Sequence, residues 1–211
     1  MSTRPPGMLI VVSGPSGVGK DTLLERLMGE SSAGTGPHRL RRCVTATTRA
    51  PRAGEVDGVD YHFWAPADFL AQAEQGALLE WAIVHGHRYG TPRTWVEARR
   101  AAGEDVILKI DVQGGLTVKE RCPEAVLIFL LPPSRAELER RLRQRHTDTE
   151  AQIAKRQADA RDELGKARLY DYLVVNDNLE TAVKQVGSII AAERCRTARQ
   201  APRWAGLWEE L

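Results

Sequence analysis

Ser13-Gly14-Pro15-Ser16-Gly17-Val18-Gly19-Lys20-Asp21-Thr22 follows the apolar run Met8-Leu9-Ile10-Val11-Val12 and precedes Leu23, Leu24 and Leu27. A short apolar run, a glycine-rich turn and leucines at helical spacing predict a buried strand, a loop and an amphipathic helix. That is the arrangement of a phosphate-binding loop. Its glycines let successive N–H groups converge on phosphate oxygens with no Cβ in the way. The helix that follows aims the positive end of its dipole at the same point, and Lys20 adds a point charge. The candidate triphosphate site is therefore Gly14, Pro15, Ser16, Gly17, Val18, Gly19 and Lys20, with Asp21 and Thr22 beside them. The usual form GxxxxGK[ST] puts a magnesium-ligating hydroxyl at position 21, where this chain has Asp21. Either that carboxylate or the Thr22 hydroxyl can serve a hard cation, and the sequence leaves both open.

The whole chain bounds what surrounds this loop. Its 211 residues can bury one substantial core with subdomains inserted into it. A net charge of +2 argues against a dedicated nucleic-acid binder, which carries a strongly basic face. Cys43, Cys122 and Cys195 are few, odd in number and widely spaced, as expected of free thiols in a reducing cytoplasm. No signal peptide is visible, Met8–Val12 is far too short to span a bilayer, and a soluble cytoplasmic protein is the expectation. His38, His62, His85 and His87 show no metal-ligand pairing on a helix face.

Outward from the loop, the first helix is expected to run to about Met28 and to break in the locally disordered stretch Ser31–Pro37. Arg41–Thr47 reads as one short strand. Thr48–Asp60 is a long loop, dense in glycine, proline and charge, of the kind that carries function. Tyr61–Trp64 is a strand, Ala67–Gln75 a helix, and Leu78–Val84 with His87–Tyr89 an antiparallel hairpin around His85-Gly86. An alternating pattern then resumes with a helix over Pro92–Ala102, the strand Asp105–Asp111, a helix around Gly115–Arg121 and the apolar run Val126–Leu131. Such alternation predicts a parallel sheet covered on both faces. It places Asp111 at a carboxyl edge beside the phosphate loop, either as a magnesium carboxylate or as a helix cap.

Ser134 and Glu137 form a capping box for a helix over Arg135–Arg145, and a second helix runs from Glu150 to about Ala167. The pair carries many arginines and few large apolar residues. It reads as a weakly docked lid that brings cations to phosphates, or else as a solvated charged hairpin paired by Glu137, Glu139 and Glu150. Tyr172–Asn176 is expected to be a short buried strand, and Leu179–Arg194 a closing helix. The tail beyond Cys195 carries Trp204 and Trp208 and is suited to a short helix on the body or on a second copy.

Six stretches, GPSGVGK, TTRAPRAGEVDGVDYHF, LLEWAIVHGHRYGTPR, IDVQG, RRLRQRHTDTE and YDYLVVND, resemble the guanylate kinases in order and spacing, over nearly everything from Met8 to Ala192. The resemblance implies an α/β fold, a P-loop NTPase core with a parallel sheet, a β-rich GMP-binding insertion and a helical lid. On that reading the domain covers 8–194: core 8–37, 92–133 and 168–194, insertion 38–91, lid 134–167, and a tail at 195–211. The implied reaction is transfer of the γ-phosphoryl group of ATP, with Mg²⁺, to GMP. Arg49, Arg52, Tyr61 and Tyr89 are implied to hold the GMP phosphate, oriented by Glu55. Glu80, with Thr45 and Thr91, is implied to hold the guanine. Catalytic cations are implied at Lys20, Arg49, Arg141, Arg145 and Arg156, adenine contact at Asn176, and metal contact at Asp21, Thr22 and Asp111.

Two positions depart from the family pattern. Lys109 stands where members commonly carry an acidic residue close to the guanine, and His146 replaces a glycine after Arg145. Expected partners are ATP and GMP, with neither nucleic acid nor membrane, in a monomer or homodimer. Two rival readings use the same residues. A ribose bisphosphate kinase also reads GKD at its loop, but fits Thr47–Phe63 and Glu80 poorly. A non-catalytic guanylate-kinase-like interaction module usually lacks an intact loop, whereas Gly14–Lys20 is complete here.

Overall fold

The computed structural model describes residues 5–33, 39–143 and 150–209. In chain order the elements are β1 (Leu9–Ser13), α1 (Lys20–Ala33), β2 (Leu40–Arg42), β3 (Ala46–Thr47), β4 (His62–Phe63), α2 (Pro66–Glu74), β5 (Leu78–Val84) and β6 (His87–Pro92). There follow α3 (Arg93–Ala101), β7 (Asp105–Lys109), α4 (Val112–Arg121), β8 (Val126–Leu131), α5 (Arg135–Arg143), α6 (Glu150–Gly165), β9 (Tyr172–Val175), α7 (Leu179–Arg194) and α8 (Thr197–Glu209). A single 3₁₀ turn, Ala167–Leu169, joins α6 to β9.

Five strands form an all-parallel sheet in the order β2-β7-β1-β8-β9. Successive side chains on a strand point to opposite faces, so each central strand feeds two cores. Ile10, Val12, Ile107, Ile128 and Leu130 meet Leu23, Leu24 and Leu27 of α1 and Val183, Val186 and Ile190 of α7. Leu9, Val11, Val106, Leu108, Leu127 and Phe129 meet Val96 of α3 and Val112 and Val118 of α4 on the other side. At the amino ends of the strands, Asp105 accepts from the Met8 amide at 2.7 Å and from Arg194 at 2.6 Å, tying β7 to β1 and to α7.

The insertion is a separate four-stranded sheet, ordered β4-β3-β6-β5, with Ala46, Phe69 and Leu78 as its own small core. The expected hairpin is present: β5 and β6 pair antiparallel with Glu80 opposite Thr91 and Ala82 opposite Tyr89. Its turn places both His85 and Gly86 at positive φ.

Several expectations need correction. Arg41–Thr47 is not one strand: Leu40–Arg42 joins the large parallel sheet and Ala46–Thr47 the small one, so 40–42 belong to the core rather than to the insertion. Helix α1 does not end near Met28 but continues through Ser31 and Ser32 to Ala33; the rest of the stretch expected to be disordered, 34–37, lies outside the described residues. Strand β9 is an edge strand and only half buried, with Leu173 54% and Val175 47% exposed. The tail, by contrast, is a helix as expected, of 13 residues.

Candidate active site

The loop between β1 and α1 takes the form expected of it. Gly14 and Gly19 have φ of 145° and 95°. A Cβ on Gly14 would lie 2.5 Å from the Leu130 carbonyl oxygen, and one on Gly19 would lie 2.6 Å from Asn176 Nδ2. The same Asn176 nitrogen donates to the Val18 carbonyl at 2.8 Å, so the buried Asn176 side chain braces the loop from beneath. Lys20 donates to the carbonyls of Gly14 and Pro15, folded back over the loop it serves.

Helix α5, expected to be part of a lid, packs against this loop. Ser134 caps α5 through the Glu137 amide at 3.1 Å. Leu138, Leu142 and Ala160 form a small apolar cluster of their own, with Leu142 packed close enough to Gly17 that a Cβ there would meet it at 3.1 Å. The lid is thus better docked than its sparse apolar content predicts. Arg141 donates to Glu137 at 2.7 Å and to the Asn176 carbonyl at 3.3 Å, which holds its guanidinium beside the loop. Arg145 and His146 lie outside the described residues.

Across the cleft the insertion presents a second cationic cluster. One terminal nitrogen of Arg49 donates to both oxygens of Glu55 at 2.8 Å, and its Nε donates to the Tyr89 hydroxyl at 3.3 Å. Glu55 also accepts from the Arg52 amide at 2.7 Å. Burial pushes the Glu55 carboxyl up, but the Arg52 N–H and the Arg49 guanidinium together outweigh it and hold it below the usual carboxylate range. The Tyr61 and Tyr89 rings meet edge to face at 5.9 Å, with the Arg49 guanidinium 5.5 Å from the Tyr61 centroid.

Deeper in the cleft, Glu80 is 2% exposed and accepts from the Thr91 hydroxyl at 2.5 Å. Burial pushes its carboxyl up to about 7; the Thr91 hydroxyl and Arg121 oppose the rise, and Asp111 adds like-charge repulsion. Gly114 at the start of α4 makes room for it, since a Cβ there would be 2.5 Å from Glu80 Oε2. Asp111 caps α4, accepting from the Gln113 and Gly114 amides at 3.0 and 3.2 Å, so the helix-cap reading of this residue is correct, and the same side chain also lines the cleft.

One cleft brings the two clusters together. Lys20, Asp21 and Thr22 line it on the loop side, Thr45, Arg52, Tyr61, Glu80 and Tyr89 on the insertion side, with Asp111 between and Arg156 reaching in from α6. Other expected site residues stand behind this lining: Val18 and Thr91 are buried, Asn176 braces the loop, and Arg49 and Glu55 grip each other at the insertion's edge. Sequence reasoning gave no role to Glu163 or His85, which also line the cleft. Glu163 follows Arg156 by two helical turns and shares its face, which is the signal that could have exposed it. Burial pushes Glu163 up to about 7, against the pull of Lys20, with Asp111 and Asp159 adding repulsion. His85 meets Asp159 of α6 at 3.1 Å, joining the hairpin turn to the lid.

The family model described as guanylate kinase matches residues 7–193. The chain belongs to the guanylate kinase family. A guanylate kinase of Caldanaerobacter subterraneus subsp. tengcongensis is 44% identical over 210 residues, covering 100% of this chain and 99% of the relative. One from Myxococcus xanthus is 47% identical over 196 residues, covering 92% and 91%. The crystal structure of guanylate kinase from Anaplasma phagocytophilum matches with a TM-score of 0.75 at 32% identity, over 94% of this chain and 92% of that one. As a guanylate kinase this chain is an ATP-dependent nucleotide phosphotransferase, and the rival readings are not favoured. Among the described residues no helix of the kinase is long and apolar enough to cross a membrane.

Proposed function

We propose that the chain transfers the γ-phosphoryl group of Mg·ATP in line to a phosphate oxygen of GMP, giving ADP and GDP, in the cytoplasm. The observation that carries this reading is the single cleft lined by Lys20 and the loop on one side and by Arg52, Tyr61, Tyr89 and the buried Glu80 on the other. Two polyanions must be held together there while charge spreads over the group in transit, so positioned cations are the main requirement. Lys20 leaves the carbonyls of its own loop to meet the donor phosphates, and Arg141 and Arg156 approach from the lid. Arg49, held flat by Glu55, and the phenols of Tyr61 and Tyr89 surround the acceptor phosphate. That phosphate is already ionised near neutral pH, so no general base is required. Closing the insertion and lid over the substrates excludes water that would otherwise hydrolyse ATP.

Ionised Glu80 accepts from the adjacent N1–H and N2–H₂ donors of guanine. Adenine would set an acceptor against it, and sites built on such bonds discriminate by about 10⁴ to 10⁵. The residues fit magnesium, which needs only one or two carboxylates besides phosphate and water. Asp21 is 56% exposed and kept ionised by the cations around it, and Asp111 adds a second carboxylate across the floor. Those two, with the Thr22 hydroxyl, would hold the ion; when bound it supplies charge neutralisation to the transferring group.

The test is a coupled assay with GMP, dGMP, AMP and UMP as acceptors, run on wild type and on Lys20→Ala. Turnover with the guanine nucleotides alone, lost in Lys20→Ala at an unchanged melting temperature, is expected. Comparable rates with AMP, or near-wild-type turnover by Lys20→Ala, would overturn the reading.

A further inference from the structure

Asp21, which departs from the usual phosphate-loop form, and Lys109, which departs from the family pattern, lie 88 residues apart in the chain and touch in the fold. Lys109, the last residue of β7, donates its ammonium to Asp21 Oδ1 in the first turn of α1, one residue beyond Lys20. Its side chain is only 11% exposed, and Arg42 stands 3.7 Å from the same Asp21 oxygen. From the other direction Lys109 Nζ lies 5.1 Å from the centroid of Tyr61, the ring that also carries the Arg49 guanidinium. Lys109 therefore does not turn toward the guanine end of the cleft. It joins the donor loop to the phosphate cluster of the insertion.

The chemistry of the pair is asymmetric. A carboxylate at position 21 puts a negative charge beside the loop that must receive a triphosphate, and Lys109 with Arg42 cancels it. An ammonium has three donors, and the bond to Asp21 uses one. A cation tethered by Asp21 and resting against Tyr61 is placed where an anion entering between Arg49, Tyr61 and Tyr89 meets the core.

We propose that Lys109, held by Asp21, is a positioning residue for the acceptor phosphate, the cation that the core contributes to a site otherwise built by the insertion. The inference rests on the reading of the insertion as a nucleoside monophosphate site. It makes the Asp21–Lys109 pair a unit, in which the lysine serves the acceptor and the aspartate fixes the lysine.

The test is calorimetric binding of GMP alone, and separately of ATP alone, without magnesium, to wild type, Lys109→Met, Lys109→Arg, Asp21→Asn and the double variant Asp21→Asn/Lys109→Met. Losing one charge-assisted bond to phosphate weakens binding by about tenfold or more. The Kd for GMP is expected to rise by about that factor in Lys109→Met and in the double variant, with a shallower salt dependence than wild type, while the Kd for ATP in the double variant, where position 21 carries no charge for Lys109 to cancel, moves less than about threefold. Lys109→Arg should recover most of the loss, Asp21→Asn should show a smaller one, and the double variant should be no worse than Lys109→Met. Guanosine should bind wild type and Lys109→Met alike, since it lacks the phosphate. Should Lys109→Met lose its cooperative melt, Lys109→Gln, which keeps a polar head in the same place, carries the comparison. GMP affinity unchanged in these variants, a loss in Lys109→Met that falls equally on guanosine, or a loss in the double variant that falls on ATP, overturns the proposal. Failure of wild type to bind GMP at all would instead remove the functional reading beneath it.

Discussion

Glu80 should make acceptor binding depend on pH in a way that can be separated from the titration of GMP itself. With burial pushing the carboxyl up to about 7, it is about 90% ionised at pH 8 and about 9% ionised at pH 6 in the empty cleft. Only the ionised form accepts from both guanine donors, so affinity for GMP should fall about tenfold from pH 8 to pH 6 on this account alone. Binding at pH 6 must then release about 0.9 proton from Glu80, and at pH 8 about 0.1. Calorimetry in buffers of different ionisation enthalpy counts those protons. Glu80→Gln keeps the shape and the Thr91 neighbour but not the titration, so subtracting its proton count removes the contribution of the GMP phosphate. That variant should bind GMP about 10²-fold more weakly at pH 8, the loss of charge-assisted bonds worth about 3 kcal/mol.

The same group gives a stability signature. A buried acid whose pKa rises on folding, from 4.5 to about 7, makes the folded state bind the extra proton. Stability is therefore fully present below pH 4.5 and falls as pH rises to 7, by about 3 kcal/mol at about 1.4 kcal/mol per pH unit. Glu80→Gln should lack that slope and melt higher than wild type at pH 8. Identical proton release in wild type and Glu80→Gln would refute the assignment of Glu80 as the guanine acceptor.

Three other perturbations follow from the geometry. Gly19→Ala forces a Cβ to 2.6 Å from Asn176 Nδ2 at a φ of 95°, so ATP affinity should fall by at least about tenfold, measured by calorimetry, with GMP affinity little changed. Gly7→Ala brings a Cβ within 1.7 Å of the Glu104 carbonyl oxygen, far from the cleft; chemical denaturation should show a loss of about 2–4 kcal/mol while KM values stay put. Arg49→Ala removes the guanidinium proposed to meet the acceptor phosphate, so steady-state kinetics should show KM for GMP raised about 10²-fold and KM for ATP raised far less.

The loop at Gly14–Lys20 was legible because a buried strand, its glycines and a helix start are all local signals. The hairpin Leu78–Val84 with His87–Pro92 was legible for the same reason, with His85-Gly86 marking the turn. Arg41–Thr47 was misread because nothing local separates Arg42 from Ala46: the chain passes between two sheets through Cys43, Val44 and Thr45 without a glycine or proline. Ser31 and Ser32 read as breakers on propensity, yet α1 carries through them to Ala33. Lys109 was visible as an oddity, but its partner Asp21 could not be found by any window along the chain, since the two stand 88 residues apart in sequence and meet only in the fold. Glu80 was recognised for its carboxylate and not for its depth, which depends on Gly114 of a different element.

The grip of Glu55 on Arg49 affects how tightly a monophosphate can bind. A free arginine side chain loses about 2 kcal/mol of rotamer freedom when a ligand immobilises it. Here both Glu55 oxygens, the Tyr89 hydroxyl and the Ala50 carbonyl already pin the guanidinium before any nucleotide arrives. That ordering is charged to folding, so an incoming anion meets a receptor already set, and little of its interaction energy is diverted into freezing the receptor.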